Sequence, residues 1–324
     1  MGNPAYHLRP NKAVDRNLFV ESLVKIERIV DLSDYRYIGF GSYEFDEFKL
    51  IYRYLGIEDL HSIEMDSNVF RRQSFNKPYS CIELYNKTCG AYFDEDYDEN
   101  KHSIIWVDFS VANDKYAQCQ DIANISGKLQ AGDIFRITVN ANSSGVPTGD
   151  YPGPEIPRAE KKVARYTWLK SNLGKYFPDN SSETDITDNG YPLFLLKVIK
   201  KAVYQDLNSE LFACPISNYV YSDNTQMMTL TLFIGLSSEK EDILKRLSTA
   251  YKGWECYINI NEWEEPMKID LPPLTVHEQL EIKQHKNTDE DMRKIWEEMG
   301  IQKDEVERYL RFARYYPNFQ PVLI

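Results

Sequence analysis

Two carboxylates and a glycine turn are the residues in this sequence best placed to do chemistry. The turn is Gly39-Phe40-Gly41-Ser42, which ends the β-forming run Tyr35-Arg-Tyr-Ile38. A glycine lets the backbone come close to a ligand that a Cβ would push away. Glu64 follows Gly41 by 23 positions and closes the short run His61-Ser-Ile63. An acid about 20 residues past such a turn is placed to accept hydrogen bonds from ribose hydroxyls. The second carboxylate, Asp108, ends the run Ile104-Ile-Trp-Val107. With Asp66, two residues past Glu64, it is a candidate proton acceptor. The chemistry implied is the binding of a nucleoside-bearing ligand beside a base. The turn lacks the third glycine of the dinucleotide fingerprint, which disfavours a nicotinamide or flavin. The same residues also describe a plain βαβ unit with an ordinary glycine turn.

These residues must be positioned by alternating strands and helices. Phe45, Phe48, Ile51, Tyr52 and Leu55 recur at helical spacing, and Gly56 closes that helix. Strands are expected at 35–39, 60–63, 81–85, 102–108 and 134–139, with helices at 67–75 and 114–129 between them. Ile104 to Val107 is apolar on both faces, as a central parallel strand should be. In an open parallel sheet the ligand crevice lies at the carboxyl ends of the strands, where Gly41, Glu64 and Asp108 all fall. His61 and His102 sit at strand starts, on the opposite edge. Residues 141–157 form a long Gly/Pro-punctuated loop, followed by helices at 158–172 and 191–207. Ser217-Asn-Tyr-Val-Tyr221 and Met227 to Leu236, joined by an Asp-Asn turn, read as a hairpin.

The expected fold is α/β: a doubly wound, mostly parallel seven-stranded sheet with a C-terminal antiparallel hairpin. Residues 1–30 supply an arm, extended to residue 16, and an amphipathic helix from Arg16 to Ile29. Residues 31–264 form the main domain. Residues 265–324 form a helical C-terminal appendage, with Thr275-x-x-Glu278 at capping-box spacing and an aromatic tail, Tyr315-Tyr-Pro-Asn-Phe319, that docks on the body.

The chain has 324 residues and a net charge of −12, and it is 42% hydrophobic. The acidic excess repels phosphate backbones and disfavours a nucleic-acid partner. Five scattered cysteines without Cys-x-x-Cys spacing argue against a zinc site or a disulfide framework and fit a reducing cytoplasm. Met1 to Asn11 has no apolar leader core, and no apolar run has the length of a membrane span.

The order of motifs resembles that of the class I S-adenosylmethionine-dependent methyltransferases. The matching residues are Tyr37-Ile-Gly-Phe-Gly-Ser42, Ser62-Ile-Glu64, Ile104-Ile-Trp-Val-Asp108 and the hairpin. More narrowly, the chain is similar to a group of bacterial proteins described as predicted O-methyltransferases, which share the arm Tyr6-His-Leu-Arg-Pro-Asn-Lys12, the hairpin turn and the Tyr-Tyr-Pro-x-Phe tail. The resemblance implies S-adenosylmethionine as cofactor. It places the methionine moiety at Gly39 and Gly41, the ribose at Glu64, and the sulfonium or substrate near Asp108. Phe40 and Ser42 belong to the same loop, and Ser42 is placed to bond the cofactor carboxylate or to cap the following helix. The sequence departs from the family pattern in three respects. The glycine loop is short, the usual acid before it is replaced by Tyr37, and no Asn/Asp-Pro-Pro-Tyr/Phe follows the fourth strand, as a methyltransferase acting on DNA bases would require.

Methyl transfer is an in-line displacement that needs positioning, plus a base if the acceptor is a hydroxyl. Asp108 and Asp66 are the candidate bases. The arm, with His7, Arg9 and Lys12, either caps the domain or folds over a ligand. Two functions follow: a methyltransferase acting on an O- or N-nucleophile of a small molecule or protein, or a catalytically degenerate nucleotide-sensing or interaction subunit, as in a bacterial defence system. In either case the C-terminal helices offer a surface for a protein partner or a second copy.

Overall fold

The computed structural model describes residues 9–149, 157–256, 263–285, 293, 297 and 300–317. Tyr6 and His7 of the arm, part of the long loop, most of 286–299 in the C-terminal appendage, and Asn318-Phe319 lie outside the described residues.

Helix α1 (Pro10–Ile26) precedes the alternation β1 (Arg36–Gly39), α2 (Asp46–Leu55), β2 (Asp59–Ile63), α3 (Ser67–Asn76), β3 (Ile82–Tyr85), α4 (Cys89–Glu95), β4 (Ser103–Phe109), α5 (Lys115–Lys128) and β5 (Ile134–Asn140). Then come α6 (Arg158–Leu173), α7 (Gly190–Asp206), the hairpin β6 (Leu211–Ser222) and β7 (Gln226–Leu236), α8 (Lys240–Tyr251), β8 (Met267–Ile269), α9 (Val276–His285) and α10 (Lys303–Phe312). The eight strands join one sheet of order β3-β2-β1-β4-β5-β7-β6-β8. β1 to β5 are parallel, β7 runs antiparallel between β5 and β6, and β8 pairs parallel with β6. The seven expected strands are present, doubly wound as the resemblance implied. The eighth is a difference: the segment expected to be purely helical after residue 265 adds β8 to the sheet edge.

Side chains alternate across a strand, and here the alternation sorts the core into two layers. Tyr37 and Trp106 face the layer built with Leu18 and Phe19 of α1, Phe48 and Ile51 of α2, and Leu247 of α8. Ile38, Ile105 and Val107 face the layer built with Ile122 of α5 and Phe194 and Val198 of α7. A satellite cluster of Ile282, Val306 and Tyr309 holds α9 to α10. Thr275 and Glu278 form the expected capping box, and Tyr315 docks through its hydroxyl, which accepts from Trp254 Nε1 at 2.8 Å.

α1 corrects the arm. It begins at Pro10, six residues before the expected start, because proline at the first helical position lacks only an N–H that would have no helical partner there. Arg9 gives it no side-chain cap. Asp223, on the hairpin turn, takes that place and accepts from the backbone N–H of Asn11 (3.1 Å) and of Lys12 (3.0 Å). A carboxylate at a helix N-terminus complements its dipole. Deeper in, Asp15 and Arg136 of β5 form a salt bridge at 0% exposure. α1 is thereby pinned across the sheet with its first turn at the carboxyl edge. Among the described residues, no helix is long and apolar enough to cross a membrane.

Candidate active site

The register places the site. Gly39 pairs with Ser62 on one side and with Trp106 on the other. Gly41, Glu64 and Asp108 therefore each lie two residues beyond one row, on three adjacent strands spaced about 4.8 Å apart. The structure brings the three loop tips to one edge of the sheet, as the sequence predicted.

The glycines are needed for a reason other than ligand approach. Both have ordinary φ values; among the described residues, the positive-φ positions of this loop are Ser42 (41°) and Phe45 (53°). A Cβ on Gly39 would meet the Tyr37 hydroxyl at 2.7 Å. One on Gly41 would meet Phe45 and Ser62 at 2.8 Å. The loop is thus folded tightly onto its own side chains. It is fixed further by the Gly41 N–H donating to Ser62 Oγ at 3.3 Å, while Ser42 Oγ accepts from the Glu44 N–H at 3.3 Å. Left-handed conformation at two non-glycine residues stores strain of a kind found at ligand-binding loops.

A narrow cleft of about 30 Å3 lies between this loop, α1 and the end of β4. It is lined by Lys12, Arg16, Tyr37, Phe40, Ser42, Glu47, Trp106 and Asp108. Lys12 Nζ donates to Asp108 Oδ2 at 2.6 Å. The other oxygen, Asp108 Oδ1, is buried without a hydrogen-bond partner, as are the Tyr37 hydroxyl and Arg16 Nε. Burial raises the Tyr37 hydroxyl well above the usual tyrosine range, and the Glu47 charge adds to this. Burial likewise raises the Glu47 carboxyl, and Arg16, 3.8 Å away, opposes the shift.

Glu64 lies outside the cleft lining, at the end of β2. Its Oε1 accepts from the Asp66 N–H at 2.7 Å, and partial burial raises its carboxyl above the usual range. Asp66 is the N-cap of α3 and accepts from the N–H groups of Asn68 (2.7 Å) and Val69 (3.2 Å). Those bonds lower its carboxyl, so its lone pairs already serve the helix and it is a poor proton acceptor. His61, held by the Tyr92 hydroxyl at 2.6 Å and Asp59 at 2.8 Å, lines a different, polar groove at the amino edge of the sheet. Among the described residues, no group of three or more His, Cys, Asp or Glu is placed to hold a metal ion.

Arg16 and Glu47 were missed from sequence. Arg16 follows Lys12 by one helical turn, a spacing visible once α1 is known to start at Pro10. Glu47 lies one turn before the buried Ile51 on the same face of α2, which turns it inward.

A family model described as "Putative O-methyltransferase" matches residues 4–324. The chain belongs to this family. A search of curated proteins finds no match. Among solved structures, Trm1 from Pyrococcus horikoshii in complex with S-adenosyl-L-methionine is similar at 10% identity and a TM-score of 0.44. The match covers 72% of this chain and 57% of that one. A Methanococcus jannaschii fibrillarin pre-rRNA processing protein is similar at 9% identity and a TM-score of 0.32, over 64% of this chain and 70% of its own. Likeness at this level bears on neither substrate nor partner.

Proposed function

We propose that this chain transfers a methyl group from S-adenosylmethionine to an oxygen nucleophile on a small molecule or protein, with Asp108 as the base. The observation that carries this is Asp108 Oδ1. It is buried and unpartnered on the wall of the cleft, beside the glycine loop of a chain in an O-methyltransferase family. An unmet buried acceptor costs about 1–3 kcal/mol, so a ligand donor there would recover stability the apo fold forgoes. When bound, the cofactor supplies an electrophilic sulfonium methyl. Gly39, Phe40, Gly41 and Ser42 shape the loop that holds its methionine end, and Glu64 takes the ribose. Lys12 fixes Asp108 through Oδ2 and leaves Oδ1 to receive the acceptor's proton. Membership of an O-methyltransferase family favours an active enzyme over a degenerate scaffold.

All five cysteines are free, which fits a reducing, cytoplasmic setting. The docked C-terminal helices remain the proposed surface for a protein partner or a second copy. Calorimetry with S-adenosylmethionine tests the cofactor reading. Binding weakened about tenfold or more in Glu64→Ala supports it, since a hydrogen bond to a charged group is worth about 1.5–3 kcal/mol. Absence of binding to the unmodified protein overturns it.

A further inference from the structure

The family resemblance leaves one function unfilled. The acid that usually precedes the glycine loop is Tyr37 here, so the amino group of the cofactor's methionine end has no carboxylate partner on β1. The cleft supplies one from another element. Glu47, on the first turn of α2, lines the same wall as Tyr37, and its charge is felt by the Tyr37 hydroxyl. Its side chain is only 13% exposed. Opposite it is Arg16 of α1, 6% exposed, whose Nη1 donates to Asp46 Oδ2 at 3.1 Å while its Nε has no hydrogen-bond partner, although Glu47 Oε2 is 3.8 Å away. That separation is too long for a hydrogen bond. A partly buried acid and the unfilled Nε edge of a buried guanidinium, held just out of bonding range of each other, form a pair that a bridging ligand can satisfy on both sides.

We propose that Glu47 and Arg16 bind the zwitterionic α-amino-acid end of S-adenosylmethionine, Glu47 taking the ammonium and Arg16 the carboxylate. The Tyr37 hydroxyl is the third contact and bonds the ammonium. A simple anion would leave Glu47 facing it with like charge, and a simple cation would do the same to Arg16. An α-amino acid presents both charges on one carbon and meets both groups. The cleft lining excludes Glu64, which fits an amino-acid end inside the cleft and a nucleoside end emerging toward β2. Lys12, tied to Asp108, is left to its positioning role. The inference rests on the cofactor reading above. It adds that the acid missing from β1 has been moved to α2 and paired with a cation from α1.

The test is a calorimetric comparison of three probes on one protein: S-adenosylmethionine, decarboxylated S-adenosylmethionine and 5′-methylthioadenosine, which lacks the amino-acid end. On the unmodified protein, S-adenosylmethionine should bind at least about tenfold more tightly than either truncated probe, the size of one charge-assisted hydrogen bond. In Arg16→Met the gap between S-adenosylmethionine and its decarboxylated form should close. In Glu47→Gln both should weaken together, while methylthioadenosine is unchanged. Equal affinity of all three probes for the unmodified protein overturns this inference and leaves the cofactor reading standing, and needs no variant to fold. Equal loss of all three probes in both variants, with the melting temperature retained, also overturns it. Failure of every probe to bind overturns the cofactor reading itself, and this inference with it.

Discussion

Removing the carboxylate of Asp15 should destabilise the whole protein by several kcal/mol and loosen the helix that closes the cleft. Asp15 and Arg136 are both fully buried, and Arg136 Nη2 donates to Asp15 Oδ1. The remaining support for the guanidinium is Thr231, whose Oγ1 accepts from Nη1 at 2.7 Å, and the rings of Phe19 and Trp106, each 4.6 Å from the guanidinium carbon. Thr229 donates to the same Asp15 oxygen at 2.8 Å. Asp15→Ala therefore strands a buried positive charge and empties a hydroxyl's acceptor. Breaking such a pair costs about 3–5 kcal/mol. Asp15→Asn keeps an acceptor but not the charge and should cost less. The double replacement Asp15→Leu with Arg136→Met removes both charges and should recover most of the loss, because an apolar pair of similar volume is often as stable as a buried ion pair. The assay is urea unfolding followed by tryptophan fluorescence and circular dichroism, with coincident transitions required before a free energy is taken. A loss below about 1 kcal/mol in Asp15→Ala, or a double variant less stable than the single one, would refute the reasoning.

Gly41→Ala should destabilise the protein by about 1–3 kcal/mol, the usual range for overpacking, because the added methyl meets Phe45 and Ser62 at 2.8 Å; chemical denaturation reads this directly. Asp108→Asn should lower kcat by a factor of about 10^2–10^4 with S-adenosylmethionine affinity largely kept, as loss of a general base does; single-turnover methyl transfer, once an acceptor is found, checks it. Lys115 is buried, its ammonium donates to the Asn140 carbonyl at 2.9 Å, and burial pushes its pKa down to about 7. Between that value and the usual lysine range near 10.4, the unfolded chain holds a proton that the folded chain has released. Stability should therefore rise with pH across that window and fall as pH drops toward 7. Unfolding free energies at pH 7, 8 and 9 should show the rise, and Lys115→Met should flatten it.

The seven main strands were legible because each is an apolar run bounded by turn residues, and β4 even showed its two-sided burial. Their limits were harder to read. β6 begins at Leu211, six residues before the expected start, and runs through Pro215. The structure keeps Pro215 in the strand by shifting register between it and Ser217, the bulge at which a strand tolerates proline. β8 has three residues and no periodicity to detect. The edge that gathers Gly41, Glu64 and Asp108 follows from parallel topology, so it could be read early. The cleft's charged wall could not. Arg16 and Glu47 come from two helices whose packing is set by tertiary contacts, and Asp15 finds Arg136 across 121 positions of chain. Pro10, taken as extended arm, hid the helix that brings Lys12 and Arg16 to the site.

A structure of the protein crystallised with S-adenosylhomocysteine puts the central claim to the most direct test. The account predicts the amino-acid end of the ligand between α1 and the Gly39–Ser42 loop, its sulfur near Asp108, and its ribose hydroxyls on Glu64. A ligand bound at any other edge of the sheet, or a cleft without ligand at saturating concentration, would contradict it.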